Sequence, residues 1–220
     1  MEINDKIRTV SIIGSGNVAT GIGSALFSAG TEIVNIYSRN QENAQTLANK
    51  VNAVAITNIS DLKNNTDLCI IAVPDDSIAS ISDQIKNFEG IVVHTSGTKP
   101  LSVLDNQLRY GVFYPLQSMT ISRIPKFDNI PLCIEGSDTG TSNQLKSLGE
   151  KISNNVVNLE SDQRQYLHMT AVIVNNFSNL LYDMAHELLE EKGMDFNLLL
   201  PLITETAQKG KDYKDAVADF

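Results

Sequence analysis

From the N-terminus to about residue 115, short runs of β-branched and aliphatic residues alternate with helical patterns. Val10-Ser11-Ile12-Ile13 reads as a strand, followed by glycines and a helix through Ala25-Leu26-Phe27. Ile33-Val34-Asn35-Ile36-Tyr37 is the next strand, residues 41–50 a second helix, and Ala53-Val54-Ala55-Ile56 a short third strand. Asp67-Leu68-Cys69-Ile70-Ile71-Ala72-Val73 is continuously apolar after its first residue, as a central parallel strand covered on both faces must be. Pro74 ends it, and Asp75, Asp76 or Ser77 is expected to cap the helix that follows. Ile91-Val92-Val93 and Val112-Phe113-Tyr114 read as further strands. This alternation predicts an α/β fold with a doubly wound parallel sheet.

Near Asp162 the pattern changes. Residues 163–192 form a long helical stretch without Pro or Gly, and Leu167, Ala171, Val174, Phe177, Leu181 and Leu188 give it an apolar stripe. Gly193 is the expected helix stop, and a second helix starts near Phe196 with Pro201 in an early turn. We therefore expect two domains: residues 1–160, an α/β domain, and residues 161–220, a smaller all-helical domain. A few helices ending at Phe220 offer a large apolar face with little to cover it. A homodimer through these helices is the expected remedy.

Composition narrows the function. Hydrophobic residues make up 42% of the 220 positions and charged residues 20%, which suits a globular core and excludes a disordered chain. With 26 acidic against 17 basic residues the formal charge is -9, so a nucleic-acid partner is not expected. Cys69 and Cys133 lie far apart within apolar runs, so they read as buried free thiols, and no metal is expected. The acidic start, without an apolar signal core, and the lack of a run long enough for a bilayer lead us to expect a soluble cytoplasmic protein with no membrane partner.

The most specific chemistry is the loop Gly14-Ser15-Gly16-Asn17-Val18-Ala19, directly after a strand and opening a helix. This is the G-x-G-x-x-G/A fingerprint of the Rossmann fold. Gly14 permits the tight turn, and Gly16 removes a side chain where a pyrophosphate approaches the backbone. Ala19 and Gly23 let helix and sheet pack closely. Ser15, Asn17 and Val18 complete the cradle at the positive end of the helix. The second strand ends Tyr37-Ser38-Arg39-Asn40, without the acid that would bond a ribose hydroxyl. Arg39 can instead grip a 2′-phosphate, with Ser38 and Asn40 adding hydrogen bonds, so the expected cofactor is NADP. Two more strand ends should line the same crevice: Val73-Pro74 beside the ribose or nicotinamide, and Thr95-Ser96-Gly97 near the reacting end.

Taken together, several segments resemble one bacterial family. They are Ser11-Ile-Ile-Gly-Ser-Gly-Asn-Val-Ala, Tyr37-Ser-Arg, Ile71-Ala-Val-Pro-Asp-Asp, Val93-His-Thr-Ser-Gly, Gly111-Val-Phe-Tyr-Pro-Leu-Gln and Leu167-His-Met-Thr-Ala-Val-Ile-Val-Asn-Asn. That family joins a Rossmann-like domain to a C-terminal helical domain of unknown function, and its members are described as NADP oxidoreductases. More distantly the N-terminal domain resembles the deazaflavin-dependent NADP oxidoreductases and pyrroline-5-carboxylate reductases. The layout, with its helical second domain, is similar to the 3-hydroxyacid dehydrogenases related to 6-phosphogluconate dehydrogenase. Those dehydrogenases carry a catalytic Lys three residues before an Asn pair; aligned on Asn175-Asn176, that position is Val172 here, so their acid/base chemistry does not carry over. Family members also continue past Phe220 with a Gln-Thr-Gly-Pro-like segment, so the helical domain is expected to be truncated here.

Hydride transfer needs a cofactor, a carbonyl or imine held against it, and a proton donor. The long helix offers His168, with Asn175 and Asn176 seven and eight residues on. His168 lies one turn before Val172 and is expected to stand in for the missing Lys, with the two Asn orienting a substrate oxygen. The expected function is an NADP-dependent oxidoreductase acting on a small carbonyl or imine compound or a second cofactor. The competing expectation is a non-catalytic NADP(H)-binding sensor or assembly module, in which His168 and the Asn pair are structural.

Overall fold

Apolar runs of alternating facing build one sheet. The computed structural model describes residues 6–120 and 126–210. Residues 1–5, read above for their acidity, and the end at Phe220 lie outside the described residues. Strands β1 (Thr9–Ile13), β2 (Glu32–Tyr37), β3 (Val54–Ile56), β4 (Leu68–Ile71), β5 (Ile91–His94), β6 (Tyr110–Pro115), β7 (Leu132–Gly136) and β8 (Val156–Asn158) lie in the order β3-β2-β1-β4-β5-β6-β7-β8. Neighbours are parallel throughout except β6 and β7, which run antiparallel. The expected doubly wound Rossmann-like sheet is therefore present, with one reversed turn near its edge.

The chain leaves β1 toward β2 and β3, then returns to the other side of β1 as β4. Helices from the two halves diverge there and leave a crevice at the carboxyl ends of β1 and β4. Helices α1 (Asn17–Ser28), α2 (Gln41–Val51) and α4 (Thr139–Gly149) cover one face of the sheet, and α3 (Ile78–Gln84) the other. Side-chain alternation sorts the strands between these layers. Val10, Ile12, Leu68, Ile70, Ile91 and Val93 pack with Ile22, Leu26, Leu47 and Leu145, whereas Ile13, Cys69, Ile71 and Val92 pack with Ile78, Phe88 and Leu104. Each such full burial is worth roughly 1.5–3 kcal/mol, which explains why both faces of the central strands are apolar. Cys69 and Cys133 are buried free thiols, as the apolar runs around them imply.

The structure adds what the apolar pattern did not reveal. β7, α4 and β8 fill residues 132–158, and Asp138 caps α4 by accepting from the Thr141 backbone N–H at 2.8 Å. Asp75–Ser77 forms a single 3-10 turn before α3, and no side chain there caps the helix. The expected cap is absent because the Asp75 carboxylate turns the other way and accepts from the Thr98 hydroxyl.

The chain divides into two compact units between His168 and Met169, within α5 (Ser161–Val172). The first turns of α5 belong with the sheet because Arg164 is fully buried there, paired with Glu135 of β7. In the second unit a π-helical turn (Ile173–Phe177) leads into α6 (Ser178–Glu190), and a 3-10 turn (Phe196–Leu199) leads into α7 (Leu200–Lys209). Gly193, at φ 65, closes α6, and Pro201 sits in the first turn of α7. Among its described residues this unit buries none; Val174, Phe177, Leu181 and Leu188 of the expected apolar stripe are all exposed. No helix of the described residues is long and apolar enough to cross a membrane.

Candidate functional site

The first unit has a crevice of about 770 Å³ at the carboxyl ends of β1, β2, β4 and β5. Its lining includes Gly14, Ser15, Gly16, Asn17 and Val18 from the first turn, Ser38 and Arg39 after β2, Val73, Pro74 and Asp75 after β4, and Thr95 after β5. The topology brings these together from segments far apart in sequence.

The two loop glycines do different things. Gly14 has φ +124, and a Cβ on it would stand 2.1 Å from the Ala72 carbonyl oxygen. Its N–H also donates to the Tyr37 carbonyl oxygen at 2.8 Å. Gly14 is thus held by the close approach of β4 and by a left-handed backbone. Gly16 has an ordinary φ of -78, and a Cβ there would meet nothing within 4 Å. Gly16 also lines the crevice, and the space beside its backbone is open.

The start of α1 points the same way. α2 and α4 are capped by the side chains of Asn40 and Asp138, but among the described residues no side chain caps α1. The first N–H groups of a helix lack partners within it, and the helix dipole places partial positive charge there. In α1 these groups lie at the crevice, with no acidic residue in the first turn to compete for them. A phosphate satisfies both needs.

At the far side, Arg39 is exposed and lines the crevice. The Ser15 hydroxyl donates to the Ser38 hydroxyl at 2.9 Å, which ties the first turn to the end of β2. Asn40 is not among the lining residues; its side chain caps α2 by accepting from the Asn43 backbone N–H.

At the β5 end, Thr95 lines the crevice while Ser96 and Gly97 are buried behind it. The Ser96 hydroxyl accepts from the backbone N–H groups of Thr98 and Lys99 and so shapes its own loop. His94 is buried, and its Nδ1 accepts from the Ser96 N–H at 3.1 Å. Burial, and then the nearby Arg164 charge, push its pKa down to about 4, so it is a neutral structural imidazole.

His168 stands against this loop. Its Nδ1 is 2.9 Å from the Tyr114 hydroxyl, and the two rings meet edge to face at 67°. A Cβ on Gly97 would fall 2.5 Å from the same Nδ1. Tyr114 carried no assignable role in the sequence. Its position at the end of β6, before Pro115, was the one available signal. α5 is held in place by a buried network. The Ser161 N–H and hydroxyl both donate to the Glu135 carboxylate, Arg164 pairs with that carboxylate, and Arg164 Nη2 donates to the Lys99 carbonyl oxygen at 2.6 Å. Asn175 and Asn176 lie in the π-helical turn of the second unit, exposed, with Asn175 Nδ2 donating to Asn176 Oδ1 at 2.8 Å.

Residues 9–96 match the family model described as "NADP oxidoreductase coenzyme F420-dependent", and residues 130–218 match "Domain of unknown function (DUF2520)". The second match begins before β7, so it takes in β7, α4 and β8 as well as the helices. Among solved structures, the chain is similar to the "putative NADP oxidoreductase BF3122" of Bacteroides fragilis, at 37% identity over 93% of this chain and 80% of that one, with a TM-score of 0.86. It shares its fold with an imine reductase of Streptomyces aurantiacus (15% identity, 96% and 77% covered, TM-score 0.74). The same holds for a pyrroline-5-carboxylate reductase of Coxiella burnetii (15%, 94% and 81%, TM-score 0.70). No curated protein matches the chain.

Proposed function

This chain belongs to the family of the Bacteroides fragilis protein, in which a Rossmann domain of the NADP oxidoreductase type precedes a DUF2520 domain, and we propose that it is a reductase that uses NADP to act on a small carbonyl or imine compound. The observation that carries this reading is the pairing of an empty-faced turn with a basic strand end. Gly16 and the uncapped start of α1 suit a pyrophosphate, and Arg39 with Ser38 suits a 2′-phosphate at the end of β2. An NAD site would place a carboxylate where this chain has Arg39. Bound there, the nicotinamide nucleotide supplies or accepts the hydride.

The chain's own residues bind, orient and protonate. The amides of Gly16, Asn17 and Val18 would hold pyrophosphate oxygens, and Arg39 would grip the 2′-phosphate with its planar fork. His168 supplies the hydrogen-bond donor that polarises the substrate heteroatom. The same reading includes a homodimer, since a second copy would cover the exposed Val174, Leu181 and Leu188 that this chain leaves in water.

Titration with NADP(H) and NAD(H) tests the cofactor assignment. NADP(H) should bind about tenfold or more tighter, and Arg39→Ala should bring the two affinities together, a change of about 1.4 kcal/mol or more. Equal affinities in the unaltered chain would overturn the role of Arg39. A panel of small ketones, aldehydes and imines with NADPH then tests turnover through loss of the reduced-nicotinamide absorbance. Tight NADPH binding with no oxidation by any of them would favour the sensor reading instead.

A further inference from the structure

Two residues from separate segments converge on one ring nitrogen of His168. The Tyr114 hydroxyl at the end of β6 lies 2.9 Å from His168 Nδ1. Gly97, in the loop after β5, packs so closely that any side chain there would collide with that nitrogen at 2.5 Å and with Tyr114 Cζ at 2.9 Å. One turn before His168, the buried Arg164–Glu135 pair fixes the helix that carries it.

We infer that Tyr114 is a positioning residue: its phenol donates to His168 Nδ1 and holds the imidazole in one tautomer, with the hydrogen on Nε2. This rests on the reading of the chain as a reductase with His168 at the substrate. The two ring nitrogens of a neutral imidazole are one donor and one acceptor, and the bond made by one sets the state of the other. The Tyr114 hydroxyl has His168 Nδ1 as its one hydrogen-bond partner among the described residues, so donating there is what satisfies its own hydrogen within the protein. Burial, with the neighbouring Cys133 and Asp75, pushes the Tyr114 hydroxyl up to about 12, so it keeps its hydrogen at every working pH. In the bond to His168 that hydrogen points at Nδ1, which makes Nδ1 the acceptor and leaves the ring hydrogen on Nε2. A histidine free to exchange tautomers would present a lone pair to the substrate part of the time, which repels a carbonyl oxygen. Gly97 serves the same end by leaving room for the ring to reach Tyr114.

The expected signature is spectroscopic and needs no substrate. In the full chain labelled with ¹⁵N-histidine, at a pH where His168 is neutral, Nδ1 should give the bare-nitrogen signal and Nε2 the hydrogen-bearing one. Tyr114→Phe should replace this with the averaged signals of exchanging tautomers. Gly97→Ala, which keeps the phenol but displaces the ring, should do the same. The amide spectrum of each variant reports whether the fold survives, and the unaltered chain alone decides if neither does. A hydrogen on Nδ1 in the unaltered chain, or the same single tautomer after Tyr114→Phe, would overturn the inference. Adding NADP⁺ to the labelled chain separates the two claims. If the amides of residues 15–18 do not respond, the cofactor reading fails, while the tautomer result stands or falls by its own signals.

Discussion

Gly16→Val should abolish tight nucleotide binding and leave the fold intact. The Gly16 backbone is in an ordinary extended region, and nothing of the protein stands within 4 Å of a Cβ there. The new side chain therefore costs the free protein little. It would occupy the space between the turn and a pyrophosphate, so the phosphates lose their approach to the amides of α1. Losing those charge-assisted bonds should weaken NADP(H) binding about 100-fold or more, ~2.8 kcal/mol or above. Calorimetric titration together with thermal unfolding checks this. Affinity should collapse while the unfolding temperature of the free chain moves little; an unchanged affinity would show that no phosphate sits on this turn. Gly14→Ala provides the contrast. A Cβ 2.1 Å from the Ala72 carbonyl oxygen, on a backbone with φ +124, should destabilise the free chain itself.

Glu135→Ala should strongly destabilise the first unit. The Arg164 side chain is fully buried, and the Glu135 carboxylate is its charge partner and also the acceptor for both Ser161 donors. Removing the carboxylate leaves a guanidinium in the interior without a counter-charge. Breaking a buried pair in this way costs about 3–5 kcal/mol, where an exposed pair is worth about 1 kcal/mol or less. The surface pair Lys99–Asp76, at 3.5 Å with Asp76 almost wholly exposed, is the built-in comparison. Denaturant unfolding of Glu135→Ala and Asp76→Ala should give a large loss and a negligible one. Equal small losses would mean that Arg164 finds another partner or reaches water.

The two glycines of the first turn also show how far sequence reasoning reaches. The spacing Gly14-x-Gly16-x-x-Ala19 after an apolar strand implied the turn, the helix start and the crevice, because that geometry tolerates few other residues. The strands up to β6 were legible for a similar reason: each is a short apolar run bounded by Gly, Pro or a polar turn. β7, α4 and β8 were not read, although Leu132-Cys133-Ile134 is such a run and Asp138 a good cap with Leu145 and Leu148 one turn apart. Their signal is diluted by Gly, Ser and Thr within the helix, residues that favour turns when context is lacking. The burial of Arg164 was invisible, since its partner lies 29 residues earlier on another element. The π-helical turn at Ile173–Phe177 carries no Pro or Gly to mark it, and its sequence is an unremarkable apolar and amide stretch. Tyr114 and His168 were each visible, but only the antiparallel return of β7 and the anchoring of α5 explain why they meet.

The crossed bonds at the strand ends have a thermodynamic consequence. Gly14 donates to Tyr37, Ala72 to Ile13, and Thr95 to Ile71, at 2.8, 2.8 and 3.3 Å, so each rim segment of the crevice is stitched to its neighbour's strand. The rim is preorganised, and a dinucleotide entering it does not have to freeze loose loops. Its association should therefore show the modest heat-capacity change of a ligand settling on a finished surface, without the large one that accompanies coupled folding.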